Sequence, residues 1–396
     1  MKMLFPIRKK SLIPLTYVEI DLNAVRHNLK SIRQLASQNT FRLPTRAKIK
    51  KRQHPVNLLT VIKAEAYGHG MKEVAKVLNH EGITFFAVSD VTEGKGLRQA
   101  GIRKPILLFE STLPEFAKDI IDYRLMPTVC TFQLAKELNH YAKSQKKRID
   151  IHIMVDTGMA RLGVWHEEAF EFIEKIYQLK ALRILGIYTH FPVADSDKRF
   201  TKKQIQTLYD LVVKLDKKGM VIPYIHAANS MGLAGYKTHV LNLVRPGLMI
   251  YGLYPDARLR NRIKLKPVMR VKSKIILIKR IKRGTGVSYG RTFVAKKDMT
   301  IAIIPIGYND GYLRNFSNKA DVLIESKRCP VLGHVTMDQI VVDISKVKRA
   351  ALGKEVVILG KQGRHEVSAD ELARYANTIN YEIVCSLGNR LPRVYI

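Results

Sequence analysis

A lysine at the end of an apolar segment is the residue of this sequence best placed for covalent chemistry. Lys63 follows the apolar residues 58–62 and precedes a glycine-containing turn at residues 64–70. Burial disfavours an ammonium group, lowers its pKa and frees the lone pair with which a lysine forms a Schiff base. A strand-end lysine can also extend its ammonium group into solvent, and for this short segment alone that is the simpler interpretation.

Other residues with chemically active side chains follow further apolar segments that we predict to be strands. Arg161 follows the fifth such segment and His190 the sixth, while His226 and Arg245 follow the seventh and the eighth. In barrels of parallel strands, the residues that act on a substrate lie at the carboxyl ends of the strands. These positions therefore agree with a site built around Lys63.

A phosphate group could be bound at the same end of the predicted strands. Ser230 follows the seventh segment, and Gly247 and Leu248 follow the eighth. Barrels commonly hold phosphate with backbone amide groups after their last two strands, and a serine hydroxyl adds another hydrogen bond. A lysine suited to a Schiff base and a nearby phosphate site together agree with binding of pyridoxal 5'-phosphate.

The segments that would position these residues alternate between strand-like and helix-like patterns. The predicted strands cover residues 58–62, 84–88, 105–109, 125–130, 149–155, 184–189, 221–225 and 241–244. The predicted helices between them cover residues 71–80, 113–123, 132–143, 166–179 and 203–217. Eight strands alternating with helices predict an α/β fold, a (β/α)8 TIM barrel.

The pattern changes near residue 260, where long β-like runs replace the alternation. These runs cover residues 268–281, 300–306, 321–326, 339–344 and 355–359, and one predicted helix covers residues 370–377. We therefore predict a barrel over residues 23–260 and a mainly β C-terminal domain over residues 261–396. Before the barrel, residues 16–21 alternate like a strand, residues 23–38 have helical spacing, and residues 39–56 are predicted to form a loop.

Composition restricts the class of protein. The 396 residues are 46% hydrophobic, which is enough for the cores of two domains. Cys130, Cys329 and Cys385 lie far apart, without the spacing of a metal site or a disulfide framework. No apolar run is long enough to span a membrane, and the first ten residues have too short an apolar core for a secretory signal. We expect a cytoplasmic protein without a metal site.

The charge is unusual, with 68 Lys and Arg against 34 Asp and Glu, a net +34. Residues 42–52 hold six cations, and residues 258–283 hold twelve cations and no acid. Such an excess is typical of proteins that bind nucleic acid or an anionic membrane. Because no aromatic residues are interleaved with these cations and no nucleic-acid motif accompanies them, a solvated basic surface is the better interpretation. The charge would also attract an anionic cofactor.

Seven short motifs follow the lysine segment 61–70 along the chain. They are VDTGMARLG at 155–163, HF at 190–191, HAANS at 226–230, RPGL at 245–248, VSYGRTF at 287–293, IPIGY at 304–308 and MDQ at 337–339. The series resembles that of the alanine racemases, pyridoxal-phosphate enzymes in which a barrel precedes a β domain and the N-terminal strand, here within residues 1–22, packs with that domain. The resemblance covers nearly the whole chain.

The resemblance implies two bases. Lys63 would bind the cofactor and act as one base, and Tyr289 from the partner subunit would be the second, so that a homodimer shares its active sites. His190 would lie beside Tyr289, although in isolation either residue would more often be an ordinary core or rim side chain. Arg245 would contact the pyridine nitrogen, and since a guanidinium does not give up its proton, that nitrogen would stay unprotonated and favour racemisation over transamination.

The same resemblance implies the remaining contacts. The cofactor phosphate would be bound by Tyr67, Tyr381, Ser230, Gly247 and Leu248. His226 would support Arg245.

For the substrate, the resemblance implies that Arg161 and the Met337 amide receive the carboxylate, with Asp338 as a supporting residue. Tyr308 and Tyr381 would narrow the entrance. Because Tyr381 would crowd the space beyond a methyl group, alanine is the favoured substrate.

Three positions depart from the family pattern. Glu65 replaces an asparagine, and it could stabilise the protonated form of Lys63. Met154 stands where many members carry a carbamylated lysine that orients the arginine matching Arg161, and a thioether cannot carry a carbamate. His334 replaces an arginine before the MDQ motif. These departures bear on rate and substrate preference more than on the type of reaction.

The function implied is interconversion of L-alanine and D-alanine, which would supply D-alanine for peptidoglycan. A broader-specificity amino-acid racemase is one alternative. A decarboxylase of related fold is another, but that class expects a glutamate at the pyridine nitrogen, where Arg245 stands. A racemase-like scaffold that binds polyanions is the non-enzymatic alternative left open by the net charge.

Overall fold

The computed structural model describes residues 14–38, 56–236, 241–387 and 390–396. The chain divides into two compact units, one made of Asp21–Val268 and the other of the chain up to Ile20 together with Met269–Ile396. The basic segment at 42–52 and, except for Val56, the loop predicted at 39–56 lie outside the described residues.

The unit Asp21–Val268 is built on parallel strands. The first strand of the chain, β1 (Tyr17–Ile20), belongs to the other unit. The strands of this unit are β2 (Asn57–Val61), β3 (Phe85–Val88), β4 (Ile106–Ser111), β5 (Met126–Val129), β6 (Ile149–Asp156), β7 (Val164–Trp165), β8 (Leu182–Tyr188), β9 (Tyr224–His226) and β10 (Leu243–Val244). Eight strands pair in parallel in the order β10-β2-β3-β4-β5-β6-β8-β9, and the short β7 pairs with β6. All eight predicted strands are present.

Backbone hydrogen bonds join the two ends of this sheet. The Asn242 N–H donates to the Ile225 carbonyl at 3.1 Å, and the Arg245 N–H donates to the Ala228 carbonyl at 2.8 Å. These bonds connect the segment around β10 to the segment around β9, so the eight strands form a nearly closed cylinder. The predicted (β/α)8 barrel is confirmed.

Polar side chains cap five of the described helices of this unit at their first turn. The described helices are α1 (Leu22–Ser37), α2 (Lys63–Gly68), α3 (Met71–His80), α4 (Val91–Gln99), α5 (Ala117–Asp122), α6 (Phe132–Ser144), α7 (Ala169–Tyr177), α8 (Lys198–Lys217) and α9 (Ser230–Gly235). Helix α8 begins five residues before the predicted start at 203, because the Asp197 side chain accepts a hydrogen bond from the Phe200 N–H at 2.9 Å and caps it there. Helix α4 was not predicted.

The second unit is mainly β. It contains β1, β11 (Met269–Lys274), β12 (Leu277–Ile281), β13 (Gly286–Val287), β14 (Phe293–Val294), β15 (Met299–Ile304), β16 (Asp321–Ile324), β17 (Lys327–Pro330), β18 (Ile340–Asp343), β19 (Glu355–Gln362), β20 (His365–Val367), β21 (Arg393–Tyr395), α10 (Ala369–Ala376) and α11 (Asn380–Ser386). The run predicted at 268–281 is two strands, β11 and β12. The prediction of a single helix was wrong, because α11 follows α10.

The largest sheet of this unit is ordered β17-β16-β19-β11-β1-β21, with β20 on β19. Strand β1 lies between β11, to which it is antiparallel, and β21, to which it is parallel. A second sheet is ordered β12-β15-β18, and β13 and β14 form a hairpin. The chain before the barrel unit therefore contributes a central strand to the β unit.

Acids from outside the basic run 258–283 neutralise several of its cations. Glu19 pairs with both Arg270 and Lys272, at 3.2 and 2.8 Å, and Asp298 pairs with Lys282 at 2.9 Å. The local positive charge around this run is therefore smaller than its own sequence suggests. Among the described helices, none combines the length and apolar character needed to cross a lipid bilayer.

Candidate active site

Lys63 opens a strained turn at the carboxyl end of β2. The four residues after it, Ala64 to Tyr67, all have left-handed backbone angles, with φ between 52° and 55°. Each such residue other than glycine costs about 1–2 kcal/mol relative to right-handed backbone. Strain of this kind persists where surrounding contacts hold it, and it is concentrated at functional sites.

Glu93, on helix α4, holds this turn. Its two carboxylate oxygens accept hydrogen bonds from the Ala64 N–H at 2.6 Å and from the Ser89 N–H at 2.7 Å. Burial raises the pKa of Glu93, while these two N–H groups and the nearby Lys63 ammonium oppose the rise. The sequence analysis missed Glu93, yet the capping motif Asp90-x-x-Glu93 would have indicated the start of a helix there.

Ser230, Gly247 and Tyr67 converge at the candidate phosphate site. Ser230 is 3% exposed, and its hydroxyl accepts a hydrogen bond from the Gly247 N–H at 3.1 Å. A Cβ atom added to Gly247 would lie 2.6 Å from the Tyr67 hydroxyl, so any larger residue at this position would overlap with the tyrosine as it now lies. Leu248, the residue after Gly247, is also buried. A hydroxyl, a phenol and closely approaching backbone fit a phosphate group.

Arg245 is 3% exposed and lies among neutral acceptors. Its Nη1 donates to the His226 Nδ1 at 2.9 Å, and its Nη2 donates to the His190 Nδ1 at 3.1 Å and to the carbonyls of Thr189 and Ala227, both at 2.9 Å. No carboxylate pairs with this guanidinium within the described part of the chain. The structure thus brings His226 to Arg245, as expected, and it also places His190 against Arg245, a contact that the sequence did not predict.

Burial and the Arg245 charge keep these histidines neutral. Burial is the largest cause and the Arg245 charge the next, and together they lower the pKa of His190 to about 3 and that of His226 well below its ordinary range. Burial also lowers the pKa of Arg245, to about 10, so it remains a cation at neutral pH. The Tyr188 ring, which the sequence analysis missed, stacks on His226 with centroids 4.6 Å apart.

Arg161 lies in the loop after β6, where a single carboxylate orders the backbone. The Asp156 Oδ1 accepts hydrogen bonds from the N–H groups of Gly158, Met159 and Ala160, at 2.8, 2.9 and 3.2 Å. The Arg161 guanidinium is exposed and, among the described residues, makes no hydrogen bond or ion pair. It is therefore free to receive a carboxylate from a ligand.

The β unit carries the other predicted site residues. Tyr289 is 73% exposed, and its neighbour Ser288 donates a hydrogen bond from its hydroxyl to the His334 carbonyl at 2.7 Å. Tyr308 and Met337 are 44% and 53% exposed, and the Met337 carbonyl accepts a hydrogen bond from the N–H of the residue after Tyr308 at 3.1 Å. This unit thus presents three large side chains to its surroundings.

Asp338 forms an ion pair with an arginine of this region. Its Oδ1 lies 3.2 Å from Nη2 of Arg390, which also pairs at 2.6 Å with the fully buried Asp310. The Asp310 carboxylate accepts a hydrogen bond from the Gly307 N–H at 3.0 Å, directly before Tyr308. Tyr381 lies on α11 of the same unit. Among the described residues, no cluster of three or more His, Cys, Asp or Glu could hold a metal ion.

Fold and site together define a class: two-domain enzymes in which a lysine stands at the mouth of a parallel barrel and a β domain follows. The family model for the N-terminal domain of alanine racemase matches residues 20–255, and the model for its C-terminal domain matches residues 268–395. The chain belongs to the alanine racemase family, and the prediction from the motifs is confirmed.

Individual relatives match along almost their whole length. The alanine racemase of Halothermothrix orenii is 39% identical over 381 residues, 96% of each chain. The solved alanine racemase of Clostridium difficile has a TM-score of 0.88 and 36% identity, covering 98% of this chain and 97% of its own. That of Bartonella henselae, which has covalently bound pyridoxal phosphate, has a TM-score of 0.81 and 25% identity, covering 97% and 100%.

Proposed function

We propose that the protein interconverts L-alanine and D-alanine with pyridoxal 5'-phosphate bound at Lys63, using Lys63 and Tyr289 as the two bases. That it is an enzyme that racemises alanine follows from its membership of the family over nearly the whole chain. One observation carries the mechanistic proposal: Arg245 is a buried cation whose described partners are two neutral imidazoles and two carbonyls.

The residues of the barrel unit fit the cofactor. Lys63 would hold it, Ser230, Gly247 and Tyr67 would bind its phosphate together with Leu248 and with Tyr381 of the β unit, and Arg245 would face its ring nitrogen. When bound, pyridoxal phosphate supplies an electron sink that acidifies the Cα–H bond of an amino acid. The overlap between a Gly247 Cβ and the Tyr67 hydroxyl supports this placement of the phosphate, because it shows a cradle that a larger residue would fill.

Arg245 favours racemisation over decarboxylation or transamination. A proton on the ring nitrogen is held in other enzymes by a carboxylate, and among the described residues none lies beside Arg245. A guanidinium can only donate hydrogen bonds, so the atom that it faces stays unprotonated. With the ring nitrogen unprotonated, the bound cofactor would be a weaker electron sink, and this would favour return of a proton to Cα over its transfer elsewhere.

Racemisation requires a proton to leave one face of Cα and another to arrive at the opposite face. The Lys63 Nζ would remove the proton from D-alanine, and the Tyr289 Oη would remove it from L-alanine. Tyr289 belongs to the β unit and is 73% exposed, which supports its insertion into the barrel of a partner subunit. The proposed active form is accordingly a homodimer with two shared sites.

The substrate carboxylate would be bound by Arg161 and by the Met337 amide of the partner subunit's β unit. The exposed Arg161 guanidinium, without an ion pair among the described residues, supports this role. Tyr308 and Tyr381 would narrow the entrance, and this restriction favours the methyl side chain of alanine. A broader-specificity racemase is the second candidate, because Glu65, Met154 and His334 depart from the family pattern.

The product D-alanine would be used for peptidoglycan synthesis, and the place of action would be the cytoplasm. The three cysteines, none of them in a disulfide, support a reducing compartment.

The proposal is tested with Lys63→Ala. Because one amine supplies both the covalent link and one base, this variant should lose the visible absorbance of lysine-bound cofactor and all racemisation. Lys72→Ala, at an exposed position on α3, is the matched control and should keep both. Separate incubation with D- and L-alanine, serine and lysine then decides between an alanine-selective and a broader racemase. Near-native racemisation by Lys63→Ala would refute the assignment.

A further inference from the structure

Three buried side chains form a hydrogen-bonded series across the barrel. His152 on β6 and His226 on β9 are both fully buried, and Arg245 follows β10. The His152 Nδ1 lies 2.9 Å from the His226 Nε2, and the His226 Nδ1 lies 2.9 Å from the Arg245 Nη1. His152 takes no part in the proposed reaction.

Chemistry fixes the direction of every bond in this series. A guanidinium carries only donors, so the His226 Nδ1 must accept, and in a neutral imidazole the proton then lies on Nε2. That Nε2–H can only donate to the His152 Nδ1, which places the His152 proton on its own Nε2. The His152 Nε2–H is then a buried donor without an acceptor among the described residues.

Neither imidazole can take a second proton without adding a positive charge beside a buried guanidinium. Burial, and next to it the Arg245 charge, lower the pKa of His152 to about 3. The other groups packed against the pair are neutral: the Tyr188 ring stacks on His226, and the Tyr188 hydroxyl bonds to the Thr128 hydroxyl at 2.8 Å. The series therefore has one protonation state and one tautomer at neutral pH.

We propose that His152 is a positioning residue: by accepting from the His226 Nε2–H, it fixes the tautomer of His226 that accepts from Arg245 and thereby fixes the Arg245 guanidinium. The consequence for the reaction rests on the proposed function, because Arg245 matters there as the partner of the cofactor ring. The tautomer of His226 does not depend on any cofactor.

Gly186 on β8 provides the space for the His152 ring. The two residues are partners in the register of β6 and β8. A Cβ atom on Gly186 would overlap the imidazole, with Cε1 and Nδ1 as its nearest atoms. The φ angle of Gly186 is not positive, so an alanine would fit the backbone, and the three atoms nearest to its Cβ all belong to the His152 ring. We assign Gly186 to the same positioning device.

The direct test is nitrogen NMR of the holoenzyme labelled with 15N-histidine. In the wild type, His226 should give the Nε2–H tautomer and a nitrogen–nitrogen coupling across its bond to His152. His152→Leu removes the acceptor and should abolish the coupling. Because it leaves one buried donor unsatisfied, it should also lower kcat for alanine about tenfold, with little change in KM. His152→Asn retains an oxygen where Nδ1 lies and should restore most of kcat.

Gly186→Ala tests the packing without touching a hydrogen-bonding group. It should displace the His152 ring and abolish the same coupling, whereas Gly96→Ala, whose Cβ would make only an ordinary 3.6 Å contact, should not. Either of two results overturns the inference: a wild-type His226 with its proton on Nδ1, or an unchanged kcat in a folded His152→Leu protein. An inactive wild type with the expected His226 signals would instead contradict the proposed function alone.

Discussion

At the scale of single residues, Arg245 shows how a buried charge can be kept without a counter-ion. Its described hydrogen bonds go to carbonyl oxygens and to imidazole nitrogens, which accept without adding charge. A carboxylate there would neutralise the guanidinium, but it would also stabilise a proton on the atom that Arg245 faces. The sequence indicated Arg245, His190 and His226 through their motifs, but it could not indicate their tautomers, because these depend on donors brought together from different strands.

The neutral histidines predict a pH dependence of stability. His152 and His190 have folded pKa values near 3, below the ordinary 6.5 of the unfolded chain. Between these values the unfolded chain binds more protons, so stability should fall as pH decreases below 6.5. Each histidine should contribute about 1.4 kcal/mol per pH unit.

Urea unfolding at pH 7, 6 and 5 measures this effect. The slope of unfolding free energy against pH should be shallower for His152→Asn than for the wild type, and the difference should equal the contribution of one histidine. Equal slopes in the two proteins would show that His152 is not buried in its neutral form.

Met154 leads to a second prediction at this scale. A thioether cannot form a carbamate, and the described surroundings of Arg161 contain no ion-pair partner, so activity should not depend on carbon dioxide. Met154→Lys, which introduces an amine at this position, should gain such a dependence. Degassed enzyme is assayed with and without added hydrogencarbonate. If hydrogencarbonate restores activity that the wild type lost on degassing, the prediction is contradicted.

At the scale of elements, the barrel strands and the turn after Lys63 were predictable, but the left-handed backbone of that turn was not. Buried parallel strands are short apolar runs, and all eight appeared at their predicted places. The residues Ala64 to Tyr67 are compatible with an ordinary right-handed helix. In the structure they are left-handed, and the Ala64 N–H donates a hydrogen bond to Glu93 on α4, which is distant in the sequence. Helix α4 was itself missed because Gly94 and Gly96 weaken its helical pattern.

Gly247 allows a test of the phosphate site at this scale. Gly247→Ala would place a Cβ atom 2.6 Å from the Tyr67 hydroxyl and force the tyrosine away. Losing one such contact should weaken binding of pyridoxal phosphate by about tenfold. Gly235→Ala, whose Cβ would lie 3.9 Å from Met231, is the matched control and should bind normally. Fluorescence titration of the apoenzyme measures both affinities, and equal affinities would mean that the phosphate lies elsewhere.

At the scale of the whole molecule, the two proposed bases belong to different units of the chain. Lys63 lies in the unit Asp21–Val268, and Tyr289 lies in the unit that contains Met269–Ile396. The motifs gave the identity of both residues. Their pairing between subunits was implied only by the family resemblance, since no local pattern in a sequence encodes the approach of a second chain.

The most direct measurement of the central claim mixes two inactive variants, Lys63→Ala and Tyr289→Phe, under conditions where subunits exchange. If Tyr289 acts in the partner's site, a mixed dimer has one complete site and one doubly defective site. An equal mixture should then recover up to about a quarter of wild-type racemisation, because half of the dimers are mixed and half of their sites are complete.

The control is the double variant Lys63→Ala/Tyr289→Phe mixed with wild type, in which exchange should lower activity because every site of a mixed dimer lacks one base. Mass spectrometry of the intact dimers establishes that exchange has occurred. Recovery of racemisation in the first mixture is the result that two bases on different subunits predict. Complete exchange without any recovery would contradict the shared site.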